Sequence, residues 1–205
     1  TWRWQPELRT INGYHAAPGY INALAASIEE HWQQQGRGEH LLFSFHGLPQ
    51  RNLELGDPYF CFCHKTARLT ATKLKLADDA WSVAFQSRLG RAQWLQPYTD
   101  VRVRELAAGG IETLDVISPA FAADCLETLE ELAIRNAGYF QAAGGETLRY
   151  IPALNAREDH IRFLADLIMH HCQGWPETSS LWNKTQLAVD LTAAQQKARG
   201  LGAKR

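Results

Sequence analysis

The chain has 205 residues, of which 45% are hydrophobic and 21% charged, a balance that excludes both a fibre and a disordered chain. Lysine plus arginine (21) nearly cancels aspartate plus glutamate (22), and the net charge of -1 argues against nucleic-acid binding through the overall field. No apolar run approaches the ~18 residues that a membrane helix needs, and no stretch reads as a signal peptide.

Tyr20, Ile21, Leu24, Ile28 and Trp32 recur at helical spacing, which predicts an amphipathic helix over 19–35 closed by Gly36. HLLFSFHG (40–47) is a short apolar run stopped by Gly47 and Pro49, as suits a buried strand. A helix over 64–76, a strand at WSVAFQS (81–87) and a helix over 97–108 follow, the last ended by Gly109 and Gly110. TLDVIS (113–118) reads as a third strand, 122–140 as one long helix, and RYIPAL (149–154) as a fourth strand. The last predicted helix of the domain covers 157–171, with Ile161, Leu164, Ile168 and His171 on one face. Strands alternating with long crossovers pair in parallel, so the expected fold is α/β: a three-layer α/β/α sandwich on a four-stranded parallel sheet. Residues 1–173 are expected to form that domain. Residues 174–205, with Pro176 and Ser179-Ser180, read as a linker and a weakly helical, polar tail.

Ligands of open parallel sheets bind at the carboxyl ends of the strands. The first strand delivers Ser44, Phe45 and His46 there; the second Gln86, Ser87 and Arg88, followed by Trp94; the third Ser118, Pro119 and Phe121. Asp124, Glu127 and Glu131 follow at steps of three and four, which would set them on one helical face. Two readings compete at each position. His46 is either a proton acceptor or metal ligand, or a hydrogen-bonded histidine at the core edge. Asp124-x-x-Glu127 is either part of a site or a capping pattern that favours the helix dipole. Trp94 and Phe121 would by default be core.

The wording of four segments goes further. LLFSFHGLPQR (41–51), GDPY (56–59), FQSRLGRAQWLQPYTD (85–100) and PAFAADCLETLEELA (119–133) have the order and spacing of ferrochelatases, and YIPALN (150–155) extends the match. The chain resembles the C-terminal half of a bacterial ferrochelatase from about Tyr14 to about His171. That resemblance implies a chelatase-like, Rossmann-like domain that inserts ferrous iron into protoporphyrin IX, with a second, similar domain preceding it. The start at Thr1 and the single methionine, Met169, agree with an expected upstream segment.

The resemblance implies His46 and Glu127 as the catalytic and iron-binding pair, without saying which takes the pyrrole protons. It implies Asp124 as a residue that orients the pair or caps the helix, and Glu131 as an outer step of a metal or proton path. Trp94, Phe121, Tyr59 and Arg88 would meet the porphyrin, with Arg88 and Arg91 either binding propionates or standing as surface charges. Arg135 falls where some members place another acid, and Phe60 where proline is common after GDPY.

Cys61, Cys63, Cys125 and Cys172 are too few for a disulfide scaffold, so reduced thiols in a cytoplasm are expected. Some ferrochelatases carry a [2Fe–2S] cluster on four cysteines. The C-x-C spacing here matches no cluster signature, although Cys61, Cys63 and Cys125 are expected to share one rim. No cofactor is therefore expected beyond the substrate iron. Alternatives are a coproporphyrin- or cobalt-specific chelatase, or a tetrapyrrole-binding domain without turnover. Peripheral membrane contact is left open.

Overall fold

The computed structural model describes residues 7–204. Its sheet has four parallel strands, β1 (His40–His46), β2 (Trp81–Gln86), β3 (Thr113–Ile117) and β4 (Thr147–Ile151), in the order β2-β1-β3-β4. The expected α/β architecture with four parallel strands is therefore what forms. Three helices surround the first half of the chain: α1 (Pro18–Gln35), the short α2 (Gln50–Glu54) and α3 (Tyr59–Lys73). The second half carries α4 (Thr99–Ala108), α5 (Leu126–Leu129), α6 (Ala137–Ala142), α7 (Glu158–His171) and α8 (Lys184–Gly200).

The alternation of side chains along β1 sorts two cores. Leu41, Phe43 and Phe45 face α1 and α3, where Leu24, Ile28, Cys63 and Ala67 close the layer. Leu42 faces the other way, onto Val103 and Leu106 of α4 and Phe140 of α6. Both faces of β1 are buried, which is why its sequence is an unbroken apolar run rather than an alternating one. Across the sheet His46 stands in register with Gln86, so the ends of β1 and β2 coincide.

Four departures from the sequence reading have physical causes. The helix expected from His64 begins at Tyr59, directly after Pro58, whose fixed φ suits a helix start. The helix expected from Pro97 begins at Thr99, because the Pro97 carbonyl is taken by the Phe85 backbone amide at 2.8 Å. The long helix over 122–140 is broken. It starts only at Leu126, passes through a π-helical turn over Glu131–Asn136 and resumes as α6. The apolar stripe of α7 also turns differently, with Ile161 half exposed and His160 buried in its place.

Of the described residues, 10–164 form one compact unit and 7–9 with 165–204 a second. In the second unit Arg9 donates to the carbonyls of His171 and Gln173 at 2.6 and 2.8 Å. Its α8 is a regular helix whose first turn is capped by Asn183, which accepts from Thr185 and Gln186, and none of its residues is buried. Among the described residues no helix is long and apolar enough to cross a membrane.

Candidate active site

His46 is the last residue of β1, and its ring is set by local bonds. Nδ1 lies 2.7 Å from the Gly47 carbonyl. A carbonyl only accepts, so Nδ1 carries the proton and the neutral ring keeps its lone pair on Nε2. The Tyr59 hydroxyl donates to the His46 carbonyl at 2.8 Å, tying the end of β1 to the start of α3. Gly47 is required here by close approach: a Cβ would stand 2.9 Å from the Gln86 carbonyl and 3.2 Å from the Trp94 ring. The Trp94 and Phe121 rings flank the imidazole at 6.4 and 6.1 Å between centroids, both tilted. Trp94 is held by its indole N–H on the Leu89 carbonyl at 2.9 Å and by backbone bridging to Pro49.

Glu127 belongs to the first turn of α5, and the cap is supplied by its neighbours. Cys125 is the N-cap residue, and Thr128 completes a reciprocal capping box with it. The capping pattern expected of Asp124 and Glu127 is thus corrected by one residue, which leaves the Glu127 side chain free of that duty. Its carboxyl is held below the usual range, chiefly by a hydrogen bond from the Cys125 thiol and then by its own backbone amide. Near neutrality it is a carboxylate. The Cys125 thiol is pushed up, first by burial and then by that bond to Glu127.

Asp124 and Glu131 are not partners on one helical face, because Asp124 precedes the helix. Asp124 Oδ1 accepts from Tyr150, Thr128 and the Ala153 amide at 2.7, 3.0 and 3.2 Å, and Oδ2 from Asn155 at 2.7 Å. Burial alone would raise its carboxyl, but these four donors outweigh it and lower the value. Asp124 therefore brackets β4 and its following loop to the start of α5. Glu131 opens the π-helical turn and points to β2: the Ser87 amide donates to Oε1 at 2.9 Å and the Ser87 hydroxyl to Oε2 at 2.6 Å.

His46, Glu127, Glu131, Trp94 and Arg88 line one cleft of about 460 Å³. Tyr59 lies against a neighbouring depression with Tyr14, Tyr20 and Cys63, and reaches the cleft only through the His46 carbonyl. Arg88 is engaged by Asp100 at 2.8 Å and stacks over Tyr98 at 4.0 Å, and Arg91 is exposed. Arg135 also lines the cleft, paired to Glu130. The remaining lining includes Gln86 and Ser87, expected at this strand end from the pattern, and Asp100 and Tyr139, which pattern reading had not placed in the site.

The expected shared rim of cysteines does not form. Cys61 and Cys63 both lie in α3, two residues and therefore about 200° apart around the helix. Cys61 is exposed; Cys63 is buried, and burial pushes its thiol up to about 12. Among the described residues no three His, Cys, Asp or Glu side chains are grouped as a metal cage.

A parallel α/β sheet whose strand ends converge on a cleft lined by an imidazole, the carboxylates of Asp100, Glu127 and Glu131, and the ring of Trp94 defines an enzyme-type cleft domain. The family model for ferrochelatase matches residues 1–172, and the chain belongs to the ferrochelatase family. The ferrochelatase of Nitrosococcus oceani is 52% identical over 204 residues, covering all of this chain and 55% of the relative. That of Thioalkalivibrio sulfidiphilus is 49% identical over 203 residues, 99% of this chain and 55% of the relative. That of Aeromonas hydrophila is 56% identical over 163 residues, 80% of this chain and 50% of the relative. The chain thus spans about half the length of the curated relatives it matches.

Proposed function

We propose that this domain supplies one wall of a cleft in which ferrous iron is inserted into protoporphyrin IX, giving protohaem and two protons. The observation that carries the reading is the lone pair of His46 Nε2 in a cleft shared with the Glu127 carboxylate and bordered by Trp94. Insertion breaks two pyrrole N–H bonds. Each electron pair stays on its nitrogen and then binds iron, which remains ferrous throughout. His46 accepts the pyrrole protons at Nε2, and Glu127, ionised near neutrality, binds the incoming cation and passes protons outward. Glu131 is the next carboxylate on that route, and Asp124 holds the turn that carries Glu127. Trp94 and Phe121 offer flat faces to a macrocycle, and Arg88 offers its charge to a propionate.

Bending a flat macrocycle and excluding water need two opposed walls. The relatives' additional length is the natural source of the second, so this domain alone should bind porphyrin weakly and insert little iron. The four free thiols suit a reducing cytoplasm. The placement of Cys61 and Cys63 favours ordinary thiols over a [2Fe–2S] centre.

Titration of protoporphyrin into the 205-residue chain tests the reading. Tryptophan fluorescence should be quenched, and Trp94→Phe should remove a large share of that quenching although six other tryptophans remain (7 in all). Quenching that is identical in the variant would place the porphyrin elsewhere and reject the assignment.

A further inference from the structure

Gln86 is the last residue of β2, and only 2% of it is exposed. A buried primary amide has two donors and two acceptor sites to satisfy. Its Oε1 accepts from the Ser44 hydroxyl at 2.7 Å. The Thr99 hydroxyl backs Ser44 at 2.8 Å, and the Ser118 hydroxyl donates to the Ser44 carbonyl at 2.8 Å. The Glu127 carbonyl 2.8 Å away can only accept, so Nε2 faces it, Oε1 faces the hydroxyls, and the amide has one orientation. On the main chain, Gln86 stands in register with His46, and its carbonyl accepts from the Gly47 amide at 2.8 Å.

One residue is therefore bonded to the chain immediately after His46 and to the backbone of Glu127, two residues that arrive on separate elements 81 positions apart in the sequence. We infer that Gln86 is a positioning residue that sets the separation of His46 and Glu127 across the cleft. The inference rests on the iron-insertion reading for its consequence in catalysis, but the clamp itself is a matter of geometry. Its physical basis is the sensitivity of a two-group reaction to placement: a displacement near 1 Å can cost about a hundredfold in rate. Stability and rate should separate, because the hydroxyls of Ser44, Ser118 and Thr99 hold the sheet whether or not α5 is attached to it.

Gln86→Met keeps the length of the side chain and removes its hydrogen bonds. The rate assay uses the chain joined to the portion of the N. oceani relative outside the match. There, Gln86→Met should lower kcat for iron insertion about tenfold or more, with KM for protoporphyrin within about twofold. Thr99→Val removes a buried hydroxyl from the same network without touching the bond to Glu127, and its kcat should stay at the wild-type value. Equal kcat in Gln86→Met and wild type would overturn the inference, as would an equal loss in both variants. If Gln86→Met fails to fold, Gln86→Leu replaces it with the same loss of kcat expected, since it too has no donor for the Glu127 carbonyl.

Absence of turnover in the unsubstituted joined protein would instead reject iron insertion. The clamp is then judged on the 205-residue chain by hydrogen exchange of the α5 backbone amides of Leu129 and Glu130. Gln86→Met should speed their exchange relative to wild type and to Thr99→Val, and unchanged exchange would refute the clamp.

Discussion

Ser87 grips both oxygens of Glu131, with its backbone amide 2.9 Å from Oε1 and its hydroxyl 2.6 Å from Oε2. The grip is made from a left-handed backbone, φ 65°, which costs a non-glycine residue on the order of 1 kcal/mol or more. The two bonds to a charged acceptor offset that strain. Ser87→Gly relieves the strain and loses the hydroxyl bond, so its melting temperature should stay close to wild type. In the chain joined to the remaining portion of the N. oceani relative, iron insertion should nevertheless fall about threefold or more, because Glu131 keeps only the amide. Paired melting and rate measurements on one preparation check this; a variant with full rate would remove Glu131 from the path.

Glu127 carries no cap in α5, since Cys125 and Thr128 perform that role. On the proposed reading, Glu127→Gln in the chain joined to the remaining portion of the N. oceani relative should abolish iron insertion with no loss of melting temperature. Thr128→Ala should do the opposite to stability: it loses the cap bond to the Cys125 amide and the bond to Asp124, at a cost of about 1–2 kcal/mol. Denaturant melts of the two variants separate a chemical carboxylate from a structural one.

His40, buried at the start of β1, links stability to pH. Burial, then the charge of Arg102, lowers its value from 6.5 to about 4. The unfolded chain therefore binds the proton first, so this contribution is complete above pH 6.5 and is lost as pH falls towards 4. With allowance for partial solvent screening, the loss is on the order of 1–2 kcal/mol. His40→Gln, whose side chain does not titrate, should flatten the stability profile over that window. An unchanged slope in urea melts between pH 7 and about 4.5 would assign the acid sensitivity to other groups.

Asp115 is fully buried in β3 and bonded by Trp32 Nε1 at 2.6 Å, the Gly38 amide at 2.8 Å and Arg149 Nε at 2.8 Å. Arg149 is its charge partner, and His31 stands 4.0 Å away. Arg149→Ala leaves a buried carboxylate without its cation and should cost about 3 kcal/mol or more. Adding Asp115→Asn should recover part of that loss. Chemical denaturation of the single and double variants reads the coupling directly, and additive losses would contradict it.

The four strands were legible because each is a short apolar run ended by turn residues, and parallel pairing followed from the length of the crossovers. The proposal of His46 and Glu127 rests on extended motif wording, since a lone histidine at a strand end also fits a core edge. The break in the helix expected over 122–140 was not legible. ETLEELAIRNAGYF keeps helical periodicity throughout, and a π-helical turn changes the bonding without changing the residue types. Asp124 looked like a member of a carboxylate stripe for the same reason, whereas its four donors come from Thr128 and from β4 and the loop after it. The grip of Ser87 depends on a backbone conformation, and the clamp of Gln86 on which way an amide faces. Neither leaves a trace in spacing.

The most direct test of the central claim is the rate of ferrous iron insertion into protoporphyrin by the chain joined to the remaining portion of the N. oceani relative, measured with and without His46→Ala. The account predicts turnover in the first and a rate near the uncatalysed one in the second, with matching thermal melts. Wild-type turnover in the His46→Ala protein would contradict it.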